Sequence, residues 1–163
     1  MASLLTVFVR EHADCIEGDA SGIDVAMLVP SDNQSRTFGH LDELLHGVIA
    51  NDPVTRRFNW SPGAIVRDRL TKRPERGELK PRAYKVDPRD VSDASVLLLD
   101  DTWTSGSSAA SAAAALKAAG AHNVTVLTLG RQLNLGSNFG STEAICHDRR
   151  GALWSRDRCV LCA

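Results

Sequence analysis

Several features are scarce in this 163-residue chain, and each scarcity removes a class of function. The first 52 residues carry two basic side chains, Arg10 and Arg36, against nine acidic ones, and the whole chain has a formal net charge of −1. That balance does not describe a globally nucleic-acid-binding protein. The N-terminal MASLLTVFV has no basic n-region, and its apolar run is broken by Arg10 and Glu11. Neither a signal peptide nor a membrane span is expected, and a cytoplasmic location follows as the expectation. There are only four cysteines, Cys15, Cys146, Cys159 and Cys162. In that compartment they are expected as reduced thiols or metal ligands rather than structural disulfides. No G-x-G-x-x-G follows the first predicted strand, which disfavours a dinucleotide-binding enzyme. The five histidines (His12, His40, His46, His122, His147) show no H-E-x-x-H spacing, so none receives a role.

What is present is the composition of one soluble globular domain, with 43% hydrophobic and 24% charged residues. A single site is therefore sought in a single domain spanning 1–163, with 132–163 as a C-terminal tail. The positive charge is concentrated, since residues 67 to 89 hold nine of the nineteen Lys and Arg against four acids. Such a cluster suits a polyanion, and a solvated charged loop is the plain alternative.

Hydrophobic patterning gives the order of elements. Leu4, Leu5, Phe8, Val9 and Ile16 predict an amphipathic helix over 3–15. DVAMLVP reads as a buried strand at 24–29 stopped by Pro30, and Leu41, Leu44, Leu45, Val48 and Ile49 form the clearest helical stripe. GAIVR (63–67) and RAYKV (82–86) predict two strands joined by an exposed, mobile, positively charged loop over 70–81. ASVLLLD (94–100) is a fully apolar strand, a helix follows over 107–119 and ends at Gly120, and NVTVLTLG (123–130) is another strand. Strands that alternate with helices and are apolar on both faces imply an α/β fold with a mostly parallel central sheet flanked by helices. Beyond residue 131 the pattern weakens into loop.

The segment VLLLDDTWTSGSS joins the apolar strand to two carboxylates, then to small hydroxyl residues, glycine and a helix start. In such sheets ligands bind beyond the carboxyl ends of the strands. Backbone N–H groups and hydroxyls of Thr104, Ser105, Gly106, Ser107 and Ser108 could surround a phosphate there, with Gly106 permitting close approach. Asp100 and Asp101 would accept hydrogen bonds from hydroxyls of an attached sugar. A turn at the two acids and a Ser107 helix cap make up the bland reading.

This string resembles the phosphoribosyl-pyrophosphate (PRPP) signature of the type I phosphoribosyltransferases. The resemblance implies that Asp100 and Asp101 hold the ribose hydroxyls and that Thr104 to Ser108 hold the 5′-phosphate. LVPSDNQSRTFGHLDELL resembles the family's pyrophosphate-binding loop, with Ser31, Asp32, Asn33 and Arg36 as its candidates, nearest the competence-associated, amidophosphoribosyltransferase-like branch. VRDRLTKRPERGELKPRAYKV resembles that branch's flexible loop, with Lys72, Arg73, Arg76, Lys80 and Arg82 offering cations to pyrophosphate. Trp103 stands where the family usually has a small or aliphatic residue, and its indole is a candidate to stack on a planar acceptor. Trp60 is expected to pack near the base of the loop.

The implied protein is a type I phosphoribosyltransferase-like fold with a reduced hood. Its implied reaction displaces pyrophosphate from PRPP by a nitrogen nucleophile, with Mg²⁺ bridging substrate oxygens near Asp100 and Asp101. Asp100, Asp101 and Arg36 would be the catalytic set. A non-catalytic PRPP or nucleotide-binding protein, serving regulation or DNA uptake, is the alternative on the same framework. Homodimers are common in the family. Cys146, Cys159 and Cys162 offer a structural zinc site as the alternative to free thiols near a packed tail.

Overall fold

The computed structural model describes residues 2–20, 22–30, 51–133 and 142–150. Its first element, α1 (Ala2–Asp19), runs beyond the predicted 3–15, and the reason is its apolar stripe. Leu5, Val9, Ala13, Ile16 and Ala20 recur at helical spacing and are all buried, so burial continues to the last turn. The Gly22 N–H then closes the helix by donating to the Glu17 carbonyl at 2.7 Å.

The central sheet contains β1 (Val25–Leu28), β4 (Ser95–Trp103) and β5 (Asn123–Arg131), in the order β1-β4-β5. Both pairings are parallel, with Val25 opposite Val96 on one side of β4 and Leu98 opposite Val126 on the other. Between them β2 (Ile65–Arg67) and β3 (Tyr84–Val86) form a separate antiparallel pair. A 12-residue helix, α2 (Ser107–Ala118), makes the crossover from β4 to β5. In the stretch predicted as loop beyond 131, a short helix α3 (Glu143–Arg149) appears. The helical stripe at 41–49 lies outside the described residues.

The unbroken apolar run of β4 is explained by burial on both faces. Leu97 and Leu99 meet α1, Phe58 and Leu28, whereas Val96 and Leu98 meet α2, Tyr84 and Met27. A strand with only one covered face would alternate apolar with polar residues. Each of these leucines is essentially inaccessible, and full burial stabilises the fold by roughly 1.5–3 kcal/mol per side chain. Alanine dominates α2 because the helix lies close against the sheet and against the β2–β3 pair. Ala109, Ala112 and Ala115 are buried, and only Leu116 adds bulk. Gly120, with φ at +105°, supplies the left-handed residue that ends α2.

Trp60 sits elsewhere than expected. It bridges to β1, where the Ala26 N–H donates to the Asn59 carbonyl at 2.8 Å and the Ser61 N–H to the Ala26 carbonyl at 2.9 Å. Its indole joins the core on the α1 side and donates Nε1–H to the Thr55 carbonyl, away from the base of the basic loop. Among the described residues, no helix is long and apolar enough to cross a membrane.

Candidate functional site

The carboxyl end of β4 carries the two acids. Asp100 pairs in register with Thr128 of β5, and both Asp100 and Asp101 are half-buried. The Asp101 N–H donates to Asp100 Oδ1 at 3.0 Å. Burial, and after it the adjacent Asp101 charge, push the Asp100 carboxyl up to about 6, while Arg73 pulls the other way. Both causes follow from the sequence, since two successive acids follow a strand that is buried on both sides.

The hydroxyl loop leaves the strand at Thr104. Its Oγ1 donates to Gln132 Oε1 at 3.0 Å, and the Gln132 N–H donates to the Trp103 carbonyl, so the loop is tied to the end of β5. Thr104 and Ser105 are exposed. The Ser105 and Ser107 hydroxyls lie 3.0 Å apart, and the Ser107 N–H points to Ser105 Oγ at 3.4 Å. Gly106, rather than Ser107, occupies the cap of α2, in the left-handed region with φ at +75°. It needs to be glycine for a second reason. A Cβ at Gly106 would lie 2.7 Å from Cε2 and 2.8 Å from Cη2 of Trp103, so the indole fills the space that the missing side chain leaves. The close approach expected at Gly106 is therefore made by Trp103 on that side. That placement corrects the expectation of an indole turned to a planar acceptor, because Trp103 packs inward on the α2-side core.

The basic segment is not the wholly exposed, mobile loop that its charge suggested. Gly77 and Lys80 donate their backbone N–H groups to Ser107 Oγ and Ser111 Oγ on α2, at 2.8 and 2.9 Å. Its base is closed by Arg67, whose guanidinium donates to the carbonyls of Asp68, Thr71 and Ala83 and lies over the Tyr84 ring, 5.5 Å from the centroid. Asp68 completes that base by accepting from Thr71 Oγ1 at 2.9 Å and pairing with Lys85 at 3.1 Å, contacts that hold its carboxyl below the usual range.

These contacts distribute the predicted cations unequally. Arg73 is exposed, and its charge acts on both Asp100 and Tyr84. Lys80 is engaged with Glu78 at 3.1 Å. Lys72 and Arg82 are exposed. Ser108, half-buried, shares a hydrogen bond with the Tyr84 phenol. Burial raises the Tyr84 hydroxyl above its ordinary value, and that hydrogen bond together with Arg67 and Arg73 opposes the rise.

Sequence reasoning missed Tyr84, Arg67 and Ser111. Tyr84 is the chain's single tyrosine, in a strand next to the basic segment, and that was the available signal. Ser31, Asp32, Asn33 and Arg36 lie outside the described residues, as do Cys159 and Cys162. Cys146, on α3, is a half-buried free thiol. Among the described residues no group of three or more His, Cys, Asp or Glu side chains is arranged to hold a metal ion.

No protein-family model matches the chain. No curated protein matches its sequence either. Solved structures do. One is a hypoxanthine-guanine phosphoribosyltransferase from Bacillus anthracis, at 14% identity and a TM-score of 0.46, over 85% of this chain and 75% of that one. Another is an adenine phosphoribosyltransferase, at 14% identity and a TM-score of 0.43, over 76% of this chain and 67% of that one.

Proposed function

We propose that the chain is a Mg²⁺-dependent phosphoribosyltransferase that displaces pyrophosphate from PRPP with a nitrogen nucleophile. The observation that carries this reading is the run Asp100, Asp101, Thr104, Ser105 on a carboxyl-terminal strand end that leads directly into the start of α2. Helix N-termini attract phosphate through their unpaired N–H groups and the helix dipole. A vicinal diol on the same ligand would then meet the two carboxylates.

The donor set fits a cation that arrives with its substrate. Two adjacent carboxylates, one of them held protonated up to about pH 6 by burial and like charge, gain from a nearby positive charge, yet they are too few to cage an ion alone. Magnesium commonly binds through one or two carboxylates plus substrate oxygens, and it would supply charge neutralisation of the pyrophosphate. The chain's own groups bind and orient. Asp100 and Asp101 hold the ribose face, Thr104 and Ser105 with neighbouring amides hold the 5′-phosphate, and Arg73 places positive charge beside the departing pyrophosphate. Arg36, in the segment that resembles a pyrophosphate-binding loop, joins it in that role. The acceptor is a nitrogen base or amine.

The reading is tested by titrating PRPP with and without Mg²⁺ and assaying pyrophosphate release against a panel of bases, ammonia and glutamine. Binding with release supports it, and no binding refutes it. Binding without release supports a non-catalytic PRPP-binding protein instead. One observation favours that second reading. Ser107 already accepts from Gly77, and the indole of Trp103 already lies against Gly106, so two signature positions are engaged within the protein.

A further inference from the structure

Ser111 lies outside the hydroxyl loop, one helical turn beyond Ser107, and it is fully buried. Its Oγ accepts the Lys80 N–H at 2.9 Å, while the Oγ of Ser107, a residue 7% exposed, accepts the Gly77 N–H at 2.8 Å. Residues four apart share a face of a helix, so the two hydroxyls form a pair of acceptors along α2. The donors are main-chain groups three residues apart in a segment with no regular structure. One hydrogen bond would leave that segment free to pivot, whereas two fix its direction as well as its position.

The segment has internal order that suits such docking. The Glu78 N–H donates to the Glu75 carbonyl at 3.0 Å, and Glu78 Oε2 accepts the Glu75 N–H at 2.9 Å. The Ala83 N–H donates to the Lys80 carbonyl at 3.0 Å, which carries the order into the 3-10 turn Pro81–Ala83. Pro74 is buried, in contrast to the exposed Lys72, Arg73 and Arg76 around it. The stretch with the highest density of positive charge is thus seated on α2 by its backbone, with the side chains of Lys72, Arg73 and Arg76 exposed and that of Lys80 half-buried beside Glu78.

We propose that Ser111 is a positioning residue whose hydroxyl, acting with that of Ser107, fixes the 72–80 segment across the start of α2 and so presents its cations to the carboxyl end of β4. Ser111 is too deeply buried to touch a ligand, and its influence passes through Lys80 and the chain before it. The docking is a property of the chain itself, while its relevance to substrate rests on the phosphoribosyl reading above.

The experiment measures the docking and the substrate separately. In the wild-type protein, amide hydrogen exchange at Gly77 and Lys80 should be slowed at least about tenfold relative to an unprotected amide, as a hydrogen-bonded backbone group requires. Ser111→Ala should raise the rate of tryptic cleavage at the Arg76–Gly77 bond by about tenfold, the effect of removing one buried acceptor, with the global unfolding midpoint lowered by only about 2–6 °C. In the same variant PRPP should bind several-fold more weakly, as a rise in KM with kcat changed less. Unprotected wild-type amides, or wild-type cleavage rates in Ser111→Ala, would overturn the docking. Faster cleavage with unaltered PRPP affinity would overturn the positioning role. If wild type binds no PRPP at all, the substrate assignment fails while exchange and proteolysis still decide the docking.

Discussion

Replacing Asp100 by Asn should stabilise the protein at neutral pH, and the size of the effect follows from where the carboxyl sits. In the fold this group titrates near 6 against an ordinary 3.8, because burial and then the Asp101 charge disfavour its ionised form. The folded state therefore binds more protons than the unfolded state between about pH 4 and pH 6, and stability falls as pH rises through that window. The displacement corresponds to a penalty of at most about 3 kcal/mol, fully present above pH 6 and absent below pH 4. Residual solvent contact reduces it, so about 1–2 kcal/mol is expected at pH 7.5. Asparagine keeps an oxygen that can accept the Asp101 N–H and carries no charge to bury. For a domain of this size the gain corresponds to about 2–8 °C in Tm. Calorimetry of wild type and Asp100→Asn at pH 7.5 and pH 4.5 reads it directly, with the gap shrinking at the lower pH. An Asn variant no more stable than wild type at pH 7.5, or a gap that does not shrink on acidification, would refute the reasoning.

The same substitution combined with Asp101→Asn should abolish PRPP binding in a titration while leaving circular dichroism intact, and unchanged affinity would make the acids a mere turn. Gly106→Ala should destabilise by about 1–3 kcal/mol in urea unfolding, through a left-handed backbone and a clash with the indole. Trp103→Ala in the Gly106→Ala background should recover the clash component but not the backbone component, so a double-mutant cycle should show coupling. Leu98→Ala, at a site with no solvent exposure, should cost about 2–5 kcal/mol by the same assay. Tyr84→Phe should cost about 1 kcal/mol, since it takes one hydrogen bond from Ser108 and keeps the ring under Arg67.

Helix α2 was legible from its alanine-rich sequence, the half-buried β5 from its valines and leucines, and strands β1 and β4 because burial on both faces writes unbroken apolar runs. Such runs depend little on what packs against them. The two acids were legible for the same reason, since they stand where such a run stops. Hidden from sequence were contacts made by the backbone. Gly77 and Lys80 dock through N–H groups that every residue but proline possesses, so a segment rich in Arg and Lys read as an exposed, mobile loop. Trp103 was visible as an oddity, but its direction was not, because the neighbour that receives the indole is a glycine with no side chain to advertise the space. The helix end at Asp19 was underestimated because Ile16 and Ala20 bury a final turn whose intervening residues are polar.

Arg67 joins Thr71 to Ala83 across the neck of the basic excursion, with Asp68 and Lys85 beside it. A neck closed by one side chain uncouples what lies above it from what lies below. Lengthening the stretch at points that spare the Gly77 and Lys80 contacts to α2 would then add only a slowly growing entropic cost and leave the hairpin strands in register. Sequence can drift there across generations while the acids at the end of β4 stay where they are.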